Sequence, residues 1–150
     1  MENSKENKYI LEVKNLKKYF PLDRNLFGTP SRYLKAVDDV SFAVEKGKTI
    51  GVVGESGCGK TTLGRTILRL YDCDGGQIIF DGNDITNLSR SKMNKYRTQI
   101  QLIFQDPYSS LPPRMTVGEI IGEAVKVHKI VPKDQVVEYV LDIMKKCGLQ

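Results

Sequence analysis

The sequence predicts an α/β fold organised around a parallel β-sheet. Two short apolar runs, at residues 49–53 and 100–104, have the composition of strands buried on both faces of such a sheet. The first run leads into a glycine-rich stretch, after which Leu63, Ile67 and Leu70 recur at helical spacing. A strand that passes through a glycine-rich turn into a helix is a unit typical of α/β proteins.

The composition is that of a globular protein of about one domain, since 40% of the 150 residues are hydrophobic and 27% are charged. The formal net charge of +5 suits an anionic ligand or an anionic membrane surface, but by itself it does not indicate nucleic acid. No apolar run approaches the roughly 18 residues of a membrane span, and the polar first residues do not resemble a secretory signal. The cysteines, Cys58, Cys73 and Cys147, lack metal-site spacing and favour a reducing cytoplasm.

The first part of the chain predicts two strands separated by a long loop. Residues 1–8 are polar and are expected to form a flexible tail. Apolar and polar residues alternate over residues 9–16, which predicts a strand. Residues 21–32 hold two prolines, so we expect a surface loop inserted at this point. Alternation resumes in the second predicted strand, within residues 33–44, and a turn at residues 45–48 ends it.

Beyond the glycine-rich stretch, a short strand and three further helices are predicted in addition to the apolar strand at residues 100–104. Residues 77–80 are expected to form the strand, and the basic residues 89–97 the first of these helices. No stacking platform of interleaved aromatic residues accompanies the basic segment, which favours a solvated helix face over a nucleic-acid surface. Gly148 is expected to cap the last helix. The apolar faces of the other two helices are formed by Val117, Ile120, Ile121, Ala124 and Val125, and by Val136, Val137, Val140, Leu141 and Met144.

Residues 54–61, with the sequence GESGCGKT, match the phosphate-binding pattern G-x-x-x-x-G-K-[ST]. Glycines let the backbone curl around a phosphate without Cβ collisions, and the following helix points its positive N-terminus at the anion. Lys60 would supply a mobile charge to the β- and γ-phosphates, and the Thr61 hydroxyl is the expected Mg²⁺ ligand. An ordinary glycine-rich turn is the alternative interpretation. The predicted nucleotide-binding residues are Gly54, Glu55, Ser56, Gly57, Cys58, Gly59, Lys60, Thr61 and Thr62.

The segments around this loop restrict the class of protein further. The stretch SGCGKTTLGR, preceded by AVDDVSFAVEKGKTIGVVGE, resembles the ATP-binding subunits of ABC transporters. The stretch IFQDPYSSL, followed by PRMTVGEII, is similar to the oligopeptide and dipeptide importer branch, in particular to the second ATPase subunit of oligopeptide permeases. The likeness extends from about Leu11 to the end of the chain.

The resemblance implies a P-loop NTPase core with an N-terminal antiparallel β subdomain, an incomplete parallel sheet and the start of a helical subdomain. Residues 1–150 would then be the N-terminal portion of an ABC-type nucleotide-binding domain, in which the helical subdomain begins within residues 106–150.

The resemblance also assigns roles outside the loop. Gln105 corresponds to a family glutamine that senses the γ-phosphate through Mg²⁺ and the attacking water, so it is the expected catalytic residue and a second Mg²⁺ ligand. Asp106 as a Walker B carboxylate is the alternative. Phe20 corresponds to an aromatic residue that stacks on adenine, and Tyr19 is the close alternative. The structural alternative is that Phe20 packs beneath the long loop.

The sequence departs from the family pattern in two respects. Pro112 stands where the family usually has Asn, which stiffens the loop and removes a side-chain amide. No signature motif, Walker B strand or switch histidine is found, and we interpret the lone His128 as an exposed bystander. The sequence therefore predicts nucleotide binding with negligible hydrolysis. It also predicts marginal stability, because strands of the parallel sheet would lack neighbours.

The predicted function is that of a truncated ATP-binding subunit of a peptide importer, with ATP and Mg²⁺ as cofactors. The expected partners are transmembrane permease subunits, a second ATPase subunit in a homo- or heterodimer and, indirectly, an extracytoplasmic solute-binding protein. The expected location is the cytoplasmic face of the cell membrane. No nucleic-acid partner is expected. Two alternatives stay open. One is a non-catalytic nucleotide-binding remnant, and the other is a different P-loop enzyme such as a small-molecule kinase, which would need a clustered set of arginines.

Overall fold

The computed structural model describes residues 7–24, 30–106 and 111–149. It divides into two compact units, Met1–Met93 and Asn94–Gln150, which are described separately below. Most of the predicted N-terminal tail and the centre of the predicted long loop lie outside the described residues.

A four-stranded sheet forms the framework of the first unit. Its strands are β1 (Tyr9–Arg24), β2 (Pro30–Glu45), β3 (Gly75–Phe80) and the short β4 (Asn83–Asp84). Their order across the sheet is β2-β1-β3-β4, and every described pair of neighbours is antiparallel. The antiparallel β subdomain implied by the resemblance is therefore present, and the strands predicted at residues 9–16, within residues 33–44 and at residues 77–80 are confirmed.

The buried face of the sheet explains why these segments pair as they do. Val13 lies opposite Phe42 on β2 and opposite Ile78 on β3, and both Val13 and Ile78 are buried. Leu16 and Ile85 are also fully buried. Each such side chain contributes about 1.5–3 kcal/mol by leaving water. Val13 and Leu16 are three positions apart, and an irregularity in the β1–β2 register lies between them, which lets both side chains be buried.

The surface loop predicted for residues 21–32 is in part wrong. β1 continues to Arg24 and β2 begins at Pro30, so that Phe20 pairs with Leu34 and Pro21 with Tyr33. The paired part of β3 reaches only Lys17, so beyond this residue β1 and β2 form a two-stranded ribbon. A proline is tolerated in such a ribbon because its missing N–H can lie on the unpaired edge.

The two apolar runs predicted as parallel strands are not strands in this structure. Residues 49–53 and 100–104 carry no strand assignment, and Val53 and Ile103 expose 93% and 90% of their surface. Within residues 7–24, 30–106 and 111–149, neither run has a paired neighbouring strand. A parallel strand is stabilised by neighbours on its edges and layers on its faces, so an apolar composition alone does not form one.

The two helices predicted within residues 60–97 are both present. Helix α1 (Lys60–Ile67) buries Leu63 and Thr66, and helix α2 (Arg90–Arg97) is the predicted basic helix. α1 ends in a Schellman motif, in which the Leu70 N–H donates to the Arg65 carbonyl at 2.9 Å.

The second unit contains the last two predicted helices. They are α3 (Val117–Val127) and α4 (Val136–Lys146), and a 3₁₀ turn at Lys133–Gln135 precedes α4. Val125, Val136 and Val140 form their common buried core. Thr116 and Glu119 form a capping box at the start of α3, which corresponds to a T-x-x-E pattern in the sequence. None of the helices in the described part of the chain is both long and apolar enough to cross a bilayer.

Lys129→Gly is expected to stabilise the second unit by about 1 kcal/mol. Both helices of this unit end in Schellman motifs, with Lys129 at φ +51° after α3 and Gly148 at φ +74° after α4. The Gly148 cap was predicted and is confirmed, but Lys129 has a Cβ in the left-handed conformation that glycine accepts without strain. Denaturant unfolding measures the gain. Glu123→Gly, at an exposed position inside α3, is the control and should lower stability by a similar amount. A Lys129→Gly protein no more stable than the parent would contradict this account of the helix end.

Candidate phosphate-binding site

The glycine-rich loop lies directly before α1 and passes close to β2. Gly57 and Gly59 have φ angles of +81° and +100°, which residues with a Cβ rarely adopt. A Cβ on Gly59 would lie 2.1 Å from the carbonyl oxygen of Ala36 on β2. Glycine is therefore required at position 59 for two independent reasons, its backbone conformation and its close approach to the sheet.

The side chain of Lys60 folds back over this loop. Its Nζ donates to the carbonyl oxygens of Gly54 at 2.8 Å and Glu55 at 2.6 Å, and it lies 3.6 Å from the Cys58 Sγ. The loop thus curls around a single positive charge. An ammonium has three rotatable donors on a flexible stem, so it can exchange carbonyl partners for the oxygens of an anion.

The N-terminus of α1 has no side-chain cap. Gly59 occupies the N-cap position without a side-chain hydrogen bond, and the first turn has no acidic residue. The first helical bond joins the Leu63 N–H to the Gly59 carbonyl at 2.8 Å, so the N–H groups of residues 60–62 have no acceptor within the helix. These donors and the partial positive charge of the helix end favour an anion.

The exposure of the loop residues fits a nucleotide polyphosphate. Residues 54–58 and Thr61 are exposed, whereas Gly59, Lys60 and Thr62 are partly buried. Mg²⁺ in such sites is usually held by one or two protein oxygens together with phosphate oxygens and water, and the exposed Thr61 hydroxyl is a donor of this kind. The residues present are therefore compatible with both ATP and Mg²⁺.

The two candidate residues for stacking on a base have different surroundings. Phe20 is half-buried and contacts Tyr71 edge to face, with ring centroids 5.6 Å apart at an angle of 85°. Lys18 Nζ lies 5.3 Å from the centre of the Phe20 ring. Tyr19 instead donates its hydroxyl to the Asp38 carboxylate, with Lys35 Nζ 5.5 Å from its ring centre. Phe20 thus belongs to an aromatic contact and Tyr19 to a polar network on the ribbon.

Tyr19→Phe is expected to remove the last step from the tyrosine titration of the folded protein. The hydrogen bond to the Asp38 carboxylate raises the pKa of Tyr19 from 10.0 to about 12. Because the folded pKa is the higher one, the bond stabilises the fold fully below pH 10 and is lost as the pH approaches 12. The near-ultraviolet absorbance of phenolate follows this ionisation. Asp38→Asn should return the pKa of Tyr19 towards its ordinary value. A step near pH 12 that remains in the titration of Tyr19→Phe would refute the assignment.

The remaining predicted residues belong to the second unit. Gln105 is exposed in a bend, and the strand predicted to precede it is not formed. Asp106 is also exposed. Pro112 lies in a turn in which its carbonyl accepts the Met115 N–H at 3.2 Å. His128 forms the C-cap of α3 and is half-buried, so the expectation that it is exposed is wrong.

The segment that follows α1 contains a functional contact that no sequence pattern indicates. The Asp74 carboxylate accepts the Tyr19 N–H at 2.6 Å and pairs with Lys18 Nζ at 3.0 Å. The Asp74 N–H in turn donates to the Lys17 carbonyl at 2.9 Å. One aspartate thereby fastens this segment to β1 beside Phe20. No motif marks it, because its role depends on contacts between residues more than 50 positions apart.

The chain is similar to known ATP-binding proteins of transporters. A family model described as ABC transporter matches residues 37–150. The chain is 48% identical over 141 residues to the oligopeptide transport ATP-binding protein AppF of Bacillus subtilis, a match that covers 93% of this chain and 43% of that protein. It is 45% identical over 140 residues to the glutathione import ATP-binding protein GsiA of Escherichia coli O157:H7, covering 93% of this chain and 22% of that one. The chain thus spans less than half the length of these curated relatives.

Solved structures show the same fold. A dimeric ATP-binding cassette in a post-hydrolysis state, bound to ADP and Pi, superposes with a TM-score of 0.73 at 19% identity over 93% of this chain and 58% of that one. The cbiO1 protein from Clostridium perfringens, part of the ABC transporter complex cbiONQ, superposes with a TM-score of 0.67 at 26% identity over 96% and 52% of the two chains. The predicted α/β fold class is therefore confirmed, although the two parallel strands are not formed here.

Proposed function

The chain belongs to the ABC transporter family, and we propose that it supplies the phosphate-binding part of an ATP-binding subunit that energises uptake of oligopeptides or dipeptides. The family membership supports the ATP-binding role. The importer branch and its peptide substrates rest on relatives named for oligopeptide and glutathione transport, which this chain covers only in part.

The main support for the proposal is the loop that curls around the Lys60 ammonium at the uncapped N-terminus of α1. When a triphosphate binds, Lys60 exchanges the carbonyls of Gly54 and Glu55 for oxygens of the β- and γ-phosphates. The N–H groups at the start of α1 then donate to the phosphates, and the positive φ of Gly57 and Gly59 keeps the backbone curled. The Thr61 hydroxyl would contribute an oxygen to Mg²⁺, while Thr62 would add a donor to the α- or β-phosphate.

The base end of the nucleotide is assigned to Phe20. Both rings are half-buried and each has a lysine Nζ near its centre, but the Tyr19 hydroxyl is tied to β2 by its hydrogen bond to Asp38, whereas Phe20 has no hydroxyl to be held in this way. This difference supports Phe20 over Tyr19. Aromatic pairs of this kind contribute about 0.5–1.5 kcal/mol beyond their buried area.

Hydrolysis would require groups beyond the phosphate loop. Phosphoryl transfer depends on positioning and on stabilisation of the charge that develops on the phosphate. We assign Gln105 to contact with Mg²⁺ and the attacking water, because an amide can donate and accept at the same time. The chain by itself is expected to hold ATP with negligible turnover. In the importer its partners would be permease subunits, a second ATPase subunit and, indirectly, a solute-binding protein, at the cytoplasmic face of the membrane.

Nucleotide titration tests this function and separates it from the alternatives. The 150-residue chain is titrated with ATP in the presence and absence of Mg²⁺ by isothermal calorimetry, beside the Lys60→Ala variant, and phosphate release is followed in parallel. Saturable binding that weakens without Mg²⁺ supports the proposal. A folded chain without affinity indicates a remnant that no longer binds nucleotide, and multiple turnovers well above the Lys60→Ala background would refute the expectation of negligible hydrolysis.

A further inference from the structure

The ring of Tyr71 lies between the base-stacking candidate and the helix that begins at the phosphate loop. On one side it meets Phe20 edge to face, with centroids 5.6 Å apart. On the other side its hydroxyl accepts a hydrogen bond from Arg65 Nη1 at 3.0 Å, and the Arg65 guanidinium carbon lies 5.9 Å from its ring centre. Arg65 belongs to the last turn of α1. Tyr71 thus connects β1 to α1 through one side chain.

The backbone around Tyr71 is held at both ends. Before it, the Leu70 and Tyr71 N–H groups donate to the Arg65 carbonyl at 2.9 and 3.4 Å. After it, Asp74 is fastened to β1 by the bonds to Tyr19 and Lys18 described above. These bonds hold the backbone on both sides of Tyr71 and thereby favour the contact between its ring and Phe20.

We propose that Tyr71 is a positioning residue for nucleotide binding, which holds the ring of Phe20 in the orientation that stacks on the base. The proposal rests on the proposed function, because it takes Phe20 as the surface for the base. An aromatic ring whose orientation is already fixed loses less side-chain freedom when the ligand binds, which increases affinity without a direct contact to the ligand. Arg65, in the last turn of α1, also contacts Tyr71. The position of the Phe20 ring is thereby connected to the helix whose first residues would bind the phosphates.

This role makes a specific prediction about ligands. Tripolyphosphate has the phosphates of ATP and lacks the base. A residue that acts through Phe20 affects ATP and leaves tripolyphosphate unchanged, whereas a residue that merely maintains the fold affects both.

The test compares the dissociation constants of Mg-ATP and Mg-tripolyphosphate for the 150-residue chain and its variants, after circular dichroism has confirmed that each is folded. Tyr71→Ala is expected to weaken ATP binding by roughly three- to tenfold and to leave tripolyphosphate binding unchanged. Tyr71→Phe keeps the ring and loses only the bond from Arg65, so its effect should be smaller. In Phe20→Ala, the further change Tyr71→Ala should have no additional effect on ATP binding.

The outcomes separate this inference from the function on which it rests. If the unmodified chain binds neither ligand, both the function and the role of Tyr71 are refuted. If it binds both, but Tyr71→Ala weakens them equally, adds to the effect of Phe20→Ala, or leaves ATP binding unchanged, the phosphate site stands and the positioning role is refuted. Tyr71→Leu, which keeps bulk without the aromatic edge, replaces Tyr71→Ala if the latter does not fold, and the same outcomes apply to it.

Discussion

Replacing Lys60 by Ala is expected to weaken Mg-ATP binding by about one to two orders of magnitude. The Lys60 ammonium is the charge around which the loop curls, held by the carbonyls of Gly54 and Glu55. A hydrogen bond from a charged donor to a phosphate oxygen contributes about 1.5–3 kcal/mol, and Lys60→Ala removes this donor entirely. Isothermal calorimetry measures the change directly.

Two matched variants show whether this loss is specific. Lys92→Ala removes the same side chain from an exposed position on α2 and should leave the affinity unchanged. Lys60→Arg keeps the charge, but its planar fork cannot follow the geometry of a single ammonium inside the loop, so affinity should fall here as well. If Lys60→Ala stayed within twofold of the parent, the loop would not be the phosphate site, and the proposed function would lose its main support.

The fold of the sheet and helices could be predicted because their signals are local. Alternation over residues 9–16 identified β1, and apolar spacing identified α3 and α4 close to their observed bounds. The same logic was misleading at residues 49–53. Their apolar composition predicted a strand, but within the described residues this segment is not a strand and pairs with no neighbour. A strand in a parallel sheet is defined by its neighbours, and one segment of sequence carries no information about them.

The site shows the same division between local and long-range information. The glycine-rich loop and Lys60 could be predicted, because their chemistry depends on a spacing that is visible in eight consecutive residues. Asp74 and Tyr71 could not, since each acts on β1 from more than 50 positions away. The two prolines at positions 21 and 30 suggested a loop, although the ribbon accepts them at its edge.

Gly59→Ala is expected to destabilise the first unit by about 3 kcal/mol and to weaken nucleotide binding at least about tenfold. The new Cβ would meet the Ala36 carbonyl oxygen at 2.1 Å, and both are backbone-anchored, so no flexible side chain can move aside. The φ angle of +100° adds strain of its own. Either the start of α1 moves away from β2 or the loop opens, and both outcomes displace the N–H groups that would bind phosphate.

A graded series of glycine substitutions separates the collision from the strain. Gly64 lies inside α1 with open space around it, so Gly64→Ala should stabilise the protein by up to about 1 kcal/mol. Gly57 has a φ of +81° but also open space, so Gly57→Ala carries the strain alone and should cost about 1 kcal/mol. Denaturant unfolding of the three variants should therefore rank Gly64→Ala above Gly57→Ala, and Gly57→Ala above Gly59→Ala. If Gly59→Ala cost no more than Gly57→Ala, the close approach between the loop and β2 would be relaxed in solution, and the loop would owe its shape to glycine conformation alone.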